Sequence, residues 1–189
     1  EAIKKYSDII HQSSKRAMDL LINLTEWSFS QTGRMKFNPE YFEMGELIRE
    51  VILLLSDSAR LKSINIIKEL LPNTIVNADK NMMSTVLRNL ISNAIKFTQP
   101  NGEIQIYSKL KNDFVEITVN DNGVGISKVE IDAIFSVNEV NSRLGTTNEQ
   151  GSGLGLILCK DFVESHGGKI WVESAVNEGS EFKFTLPVW

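Results

Sequence analysis

The sequence is short of cysteine: Cys159 stands alone in 189 residues. No internal disulfide can form, and nothing ties the chain to an oxidising compartment. It lacks any run of about 18 apolar residues, the length a spanning helix needs, and its first residues, 1–10, do not read as a signal peptide. It also lacks an excess of positive charge. With 20 Lys+Arg against 24 Asp+Glu the net charge is −4, which gives no footprint for nucleic acid or anionic lipid. Two familiar phosphate signatures are missing as well. Gly168-Lys169 is followed by Ile170 and lacks the earlier glycine of a P-loop, and Leu156 stands where the third glycine of a dinucleotide fingerprint would fall.

The composition itself is that of an ordinary globular chain, 42% hydrophobic and 23% charged. A chain of this length can bury one full core and carry an appendage. Tyr6, Ile10, Ser13, Ala17, Leu20, Leu24 and Trp27 recur at alternating steps of three and four, a heptad seam that predicts a helix packed on a partner. The same stripe would also serve a helix docked on its own domain. The chain opens in the middle of this pattern, as a piece of a longer protein would. Gly33 suits a left-handed helix end, and residues 34–43, with Asn38-Pro39, read as a linker.

From Met44 a second amphipathic helix runs through Leu47, Ile48, Val51, Leu54, Leu55 and Ala59. Residues 63–70 and 74–78 are strand-like, with Leu71-Pro72-Asn73 between them. Asp79 caps a long helix bearing Met82, Met83, Val86, Leu87, Leu90, Ile91 and Ala94. After the turn Gln99-Pro100-Asn101-Gly102 come strands at 103–110 and 114–120, then a short helix ending near Phe135. Residues 136–150 are polar and aperiodic, a length that usually marks a functional loop such as a lid. A helix over 156–166, closed by Gly167-Gly168, and strands at 169–174 and 181–187 finish the chain. This order predicts an α+β fold, a two-layer sandwich of helices on a mostly antiparallel sheet, preceded by a long N-terminal helix.

Three stretches carry candidate chemistry. Asn89, Asn93 and Lys96 fall on one helix face at spacings of four and three. An asparagine carboxamide oxygen is a hard neutral ligand suited to magnesium when substrate phosphates supply the charge, and Lys96 would add a point charge beside them. The same three residues would equally solvate an exposed face. Asp121-Asn122-Gly123-Val124-Gly125-Ile126 follows a strand, and its two glycines let the backbone approach a flat ligand. A partly buried aspartate there accepts a hydrogen bond from an exocyclic amine and rejects a keto group, although Asp-Asn-Gly is also an ordinary turn. Gly151-Ser152-Gly153-Leu154-Gly155-Leu156 opens a helix, where free backbone amides hold an anion; it would also make a hinge. His11 has neither a neighbouring acid nor a following proline and reads as solvated. His166 reads as structural at a helix C-terminus, and Cys159 as an apolar filler.

In order and spacing these stretches resemble the catalytic domain of sensor histidine kinases. Asn89-Leu90-Ile91-Ser92-Asn93-Ala94-Ile95-Lys96-Phe97-Thr98 is similar to that family's asparagine box, and residues 121–125 and 151–156 to its two glycine boxes. Residues 160–174 and the closing strand Gly179 to Pro187, which contains Thr185, also resemble the family. The resemblance implies the Bergerat fold and ATP with Mg2+ as cofactors, with Asp121 on the adenine amine and Asn93 as the metal ligand. Phe97 would flank adenine, Lys96 would meet phosphate and Asn89 would support the metal–phosphate network. Gly123, Gly125, Ile126, Gly151, Gly153, Leu154, Gly155, Leu156 and Thr185 would complete the nucleotide site. Arg143 in the loop is a further candidate for phosphate.

Residues 1–33 resemble the second helix of the family's dimerisation hairpin, followed by the linker at 34–43 and a nucleotide domain at 44–189. The helix bearing the acceptor histidine is absent, so the fragment is expected to bind ATP without phosphorylating itself, and no residue in it is named as a general base. The resemblance further implies a homodimer through the N-terminal helix, a response-regulator receiver domain as partner, no nucleic acid, and a cytoplasmic location below a membrane sensor whose spanning parts lie elsewhere. One departure stands out: the family's phenylalanine box usually has two aromatics, whereas Phe135 is followed by Ser136-Val137-Asn138.

Overall fold

A computed structural model describes residues 36–136, 144–147, 149 and 153–188, together with Tyr6, Ile10, Ser14, Met18, Leu21, Leu24, Thr25 and Ser28. The chain divides into two compact units, residues 1–36 and 37–189. In the first, the described positions from Tyr6 to Ser28 are all helical. Tyr6, Ile10 and Leu24 of the seam are exposed. No described helix is long and apolar enough to cross a membrane.

The second unit runs β1 (Glu40–Glu43), α1 (Met44–Leu61), β2 (Asn65–Glu69), β3 (Ile75–Ala78), α2 (Lys80–Phe97), β4 (Glu103–Lys111), β5 (Phe114–Asp121), α3 (Lys128–Ala133), α4 (Gly155–Ser165), β6 (Ile170–Ala175) and β7 (Gly179–Pro187). Five strands form one sheet in the order β2-β4-β5-β7-β6. Only β2 and β4 pair in parallel; the other neighbours are antiparallel. One correction concerns the expected linker 34–43. Its last four residues are strand β1, paired with β3 from Glu40↔Ala78 to Glu43↔Ile75. Its start is also tied down, for Asn38 N–H donates to Asp79 Oδ2 at 3.0 Å.

Alternation along the strands separates the two faces of the sheet. Ile104, Ile106, Val115, Ile117, Val119, Phe182, Phe184 and Leu186 are buried on the face that meets the helices. Between them lie Tyr107, Lys109, Glu116, Thr118, Glu181, Lys183 and Thr185, which share the opposite face. Helix α2 packs against α1, α4 and β5 through its stripe Met82, Met83, Val86, Leu87, Leu90, Ile91 and Ala94. Leu90 is fully buried, and truncating such a leucine to alanine costs about 2–5 kcal/mol.

Local signals explain where elements stop. Asp79 caps α2, its side chain accepting from Asn81 N at 3.0 Å and Met82 N at 3.1 Å. His166 caps the other end of α4. Its Nε2 accepts Asp79 N–H at 2.9 Å, so the proton sits on Nδ1, which donates to Phe162 O at 2.6 Å. That imidazole is structural, as its position predicts. Cys159 is buried without an ionic partner, and burial pushes its thiol pKa up.

Candidate functional site

Because the core stripe of α2 occupies one side of the helix, Asn89, Asn93 and Lys96 emerge together on another, each half-buried. Asn89 Nδ2 donates to Thr85 O at 3.0 Å, which orients its carboxamide. A Cβ placed on Gly155 would lie 2.5 Å from Asn89 Oδ1. The glycine is what lets the start of α4 approach that close. Among the described residues no group of three His, Cys, Asp or Glu side chains could hold a metal ion. A cation here would have to bring anionic ligands with it, which is the donor set that a carboxamide and substrate phosphates supply.

Asp121 ends β5 on the helix side of the sheet and is 3% exposed. Its Oδ1 accepts Gly123 N–H at 2.9 Å. Burial lifts its carboxyl to about 6, against the pull of backbone donors at Gly123 and Ser180. The loop that follows is pressed against its neighbours. A Cβ on Gly123 would fall 2.4 Å from Phe97 O, at the end of α2, and one on Gly125 would fall 1.9 Å from Ala175 O. Gly125 also adopts φ +67°, where a side chain is strained. Val124 N–H donates to Phe97 O at 3.2 Å, and Ile126 N–H to Ser174 Oγ at 2.9 Å.

The third stretch begins α4. Gly153 has φ +75°, Leu154 is the N-cap residue, and no side chain caps the helix. First-turn amides of this kind suit an anion. Thus the two glycine loops abut α2 at Asn89 and at Phe97. Eight residues of helix separate those points, about 12 Å at 1.5 Å per residue. The described parts of the three stretches therefore meet along a single helix, with the buried acid at one end and the start of α4 at the other.

Lys96 lies between. Its Nζ sits 4.6 Å from the centroid of the Phe97 ring, and burial lowers its pKa against the opposing charge of Glu149. Its backbone carbonyl accepts from Thr146 N at 3.0 Å, Thr146 Oγ1 at 3.2 Å and Lys62 Nζ at 3.0 Å.

One expected residue is displaced from the cluster. Thr185 pairs with Glu116, whereas Asp121 pairs with Ser180, five residues or about 17 Å away along the strand. Its side chain points to the outer face, and its Oγ1 accepts Lys169 N–H at 2.9 Å. Alternation with Phe182, Phe184 and Leu186 carries that information in the sequence. Ser180 takes the place that Thr185 lacks: it is buried opposite Asp121, with its Oγ 3.0 Å from Ser174 Oγ. The alternation puts Ser180 on the inner face with Phe182, and the strand register sets it opposite Asp121. Gly151, His11 and Arg143 lie outside the described residues.

With this geometry in hand, the family described as histidine kinase-, DNA gyrase B- and HSP90-like ATPase matches residues 78–189. The chain belongs to that family. It is the ATP-binding catalytic domain of a sensor histidine kinase. Its relatives include an adaptive-response sensory kinase, SasA, of Prochlorococcus marinus subsp. pastoris, 41% identical over 99% of this chain and 50% of the relative. The catalytic domain of histidine kinase ThkA, without nucleotide, superposes with a TM-score of 0.69 at 36% identity, covering 81% of this chain and 96% of that one. ThkA in complex with the response regulator TrrA gives 0.77 at 30% identity, over 99% and 52%. The chain spans about half the length of the sensory kinases it matches. Within this catalytic domain, the family match starts at residue 78 and so takes in all three site stretches but not β1 or α1.

Proposed function

We propose that the cleft along α2 binds ATP with magnesium and that, in the whole protein, it directs the γ-phosphate to a histidine for relay to a response-regulator aspartate. Asp121 would accept the adenine amine, with Gly123 and Gly125 holding the loop tight against Phe97 O and Ala175 O so that the carboxylate stays in place, and Phe97 beside the ring. Asn93 would ligate magnesium together with the phosphates, Asn89 would support that network, and Lys96 and the amides of Gly153 to Leu156 would meet phosphate oxygens. Gly151 completes this set from the sequence alone. Bound magnesium would neutralise charge on the phosphates, and the protein's share is positioning and electrostatics. Asn89 cannot take a proton from water, which agrees with transfer rather than hydrolysis.

The observation that carries this reading is the buried carboxylate of Asp121 set against glycines that exclude even a Cβ. The exposed seam residues Tyr6, Ile10 and Leu24 support a homodimer through the N-terminal helix. The solved pair of ThkA with a response regulator supports a receiver domain as partner. We place the nucleotide domain from residue 37 onward, in the cytoplasm, with any membrane attachment in other parts of the protein. The test is to restore a dimerisation hairpin with its acceptor helix and incubate with γ-labelled ATP. Phosphohistidine on the added helix is the expected result. Label on His11 of the chain alone, or none on the restored hairpin, contradicts the reading.

A further inference from the structure

Lys62 is a lysine at the end of an amphipathic helix, where a solvated tip is the ordinary outcome. Here it is 8% exposed. It is the C-cap of α1, and its backbone is fixed on both sides. Its N–H donates to Ala59 O at 3.2 Å, and its carbonyl accepts Asn101 N–H at 2.9 Å, from the turn that follows α2. Its ammonium group reaches Ile95 O at 2.8 Å, Lys96 O at 3.0 Å, Thr146 Oγ1 at 2.6 Å and Glu149 Oε1 at 3.1 Å.

Each of these contacts has a physical reason. The carbonyls of Ile95 and Lys96 belong to the last turn of α2, which lacks intrahelical donors and carries the negative end of the helix dipole. A cation placed there satisfies both. Glu149 supplies the counter-charge that a buried ammonium needs. Thr146 ties the Lys96 carbonyl a second time through its backbone N–H at 3.0 Å, and its hydroxyl lies 2.8 Å from Thr98 O. One side chain therefore joins a fixed frame, the final turn of α2 with Lys96 and Phe97, and the loop residues that precede the second glycine stretch.

We propose that Lys62 is a positioning residue for the phosphate end of the site: by clamping the Lys96 carbonyl to Thr146 and Glu149 it aims Lys96 at the nucleotide phosphates. This rests on the assignment of Lys96 to phosphate made above. It predicts an effect that depends on how much of the nucleotide is present, which a lysine with a purely structural role would not produce.

The experiment measures ATP and adenosine affinities by competition against a fluorescent ATP analogue, with melting curves as a check of folding. Lys62→Met should weaken ATP about tenfold, equivalent to about 1.4 kcal/mol, with adenosine unchanged. Lys62→Arg should recover most of that loss. Thr146→Val and Glu149→Gln, which leave the lysine in place, should each cost ATP about threefold, the scale of one lost hydrogen bond; they carry the test if Lys62→Met does not fold. Equal losses for ATP and adenosine, or no loss of ATP, overturn the proposal. Lys96→Met separates the two levels. If it too leaves the preference for ATP intact, the phosphate role of Lys96 fails and this proposal falls with it. If it removes the preference while the clamp variants keep it, only the Lys62 proposal is overturned.

Discussion

The two ends of the cleft are built from different materials. At the Asp121 end the chain is tightly packed. The acid is buried, Gly123 and Gly125 have no room for a Cβ, and amides from 123, 124 and 126 are each bonded to a fixed acceptor. At the other end Asn89, Asn93 and Lys96 are half-buried, and the start of α4 has no side-chain cap. On the proposed reading, the base end is preformed by packing, whereas the phosphate end is built from half-buried polar side chains and the start of a helix. If the proposed reading holds, selectivity for the base and affinity for the phosphates rest on separable elements, the end of β5 for the first and the face of α2 with the start of α4 for the second.

The largest break in that contrast comes from Gly125→Ala. A Cβ 1.9 Å from Ala175 O, at φ +67°, should cost about 3 kcal/mol or more, read as a drop in melting temperature of roughly 10 °C. Next is Asp121→Asn. The amide oxygen can still accept from Gly123, so the fold should survive, but the carboxylate's bond to the adenine amine is lost. ATP binding should weaken about 10- to 100-fold, with the preference over GTP lost, by calorimetry or thermal shift. The same group sets a pH dependence. Its value of about 6 lies above the ordinary 3.8, so the folded protein holds a proton that the unfolded chain has released. The free protein should therefore lose stability as pH rises from about 4 to 6. ATP affinity should rise over that window, because the ionised acid is the acceptor. Asp121→Asn should flatten both trends. The smallest effect belongs to Thr185→Val. It removes the acceptor for Lys169 N–H and should cost about 1 kcal/mol of stability while leaving ATP affinity unchanged.

Much of this was legible before any fold was known. The apolar stripe of α2, the Asp79 cap and the turn at 99–102 specify where the helix lies and which face of it is free. Asp121, Gly123 and Gly125 are consistent with a close approach, but the same residues would also make an ordinary turn, and only the contacts of the two glycines decide between them. Strand β1 was not legible, since Glu40, Tyr41, Phe42 and Glu43 show no alternation and only their pairing with β3 makes them a strand. Ser180 reaches the site through register, a tertiary fact. Nothing near Lys62 in the sequence marks it, because two of its ammonium partners lie 84 and 87 positions later. Thr185 was placed by its motif, when the alternation around it already pointed outward.

The central claim is that the asparagine face of α2, the Asp121 loop and the start of α4 hold one ligand together. Backbone and carboxamide NMR spectra titrated with Mg-AMPPNP test this directly. The account predicts shifts confined to Asn89, Asn93, Lys96 and Phe97, to 121–126, to 144–149 and to 151–156, while Thr185, Lys183 and Glu116 on the outer face stay silent. Shifts centred on that outer face, or only one of the three stretches responding, would contradict it.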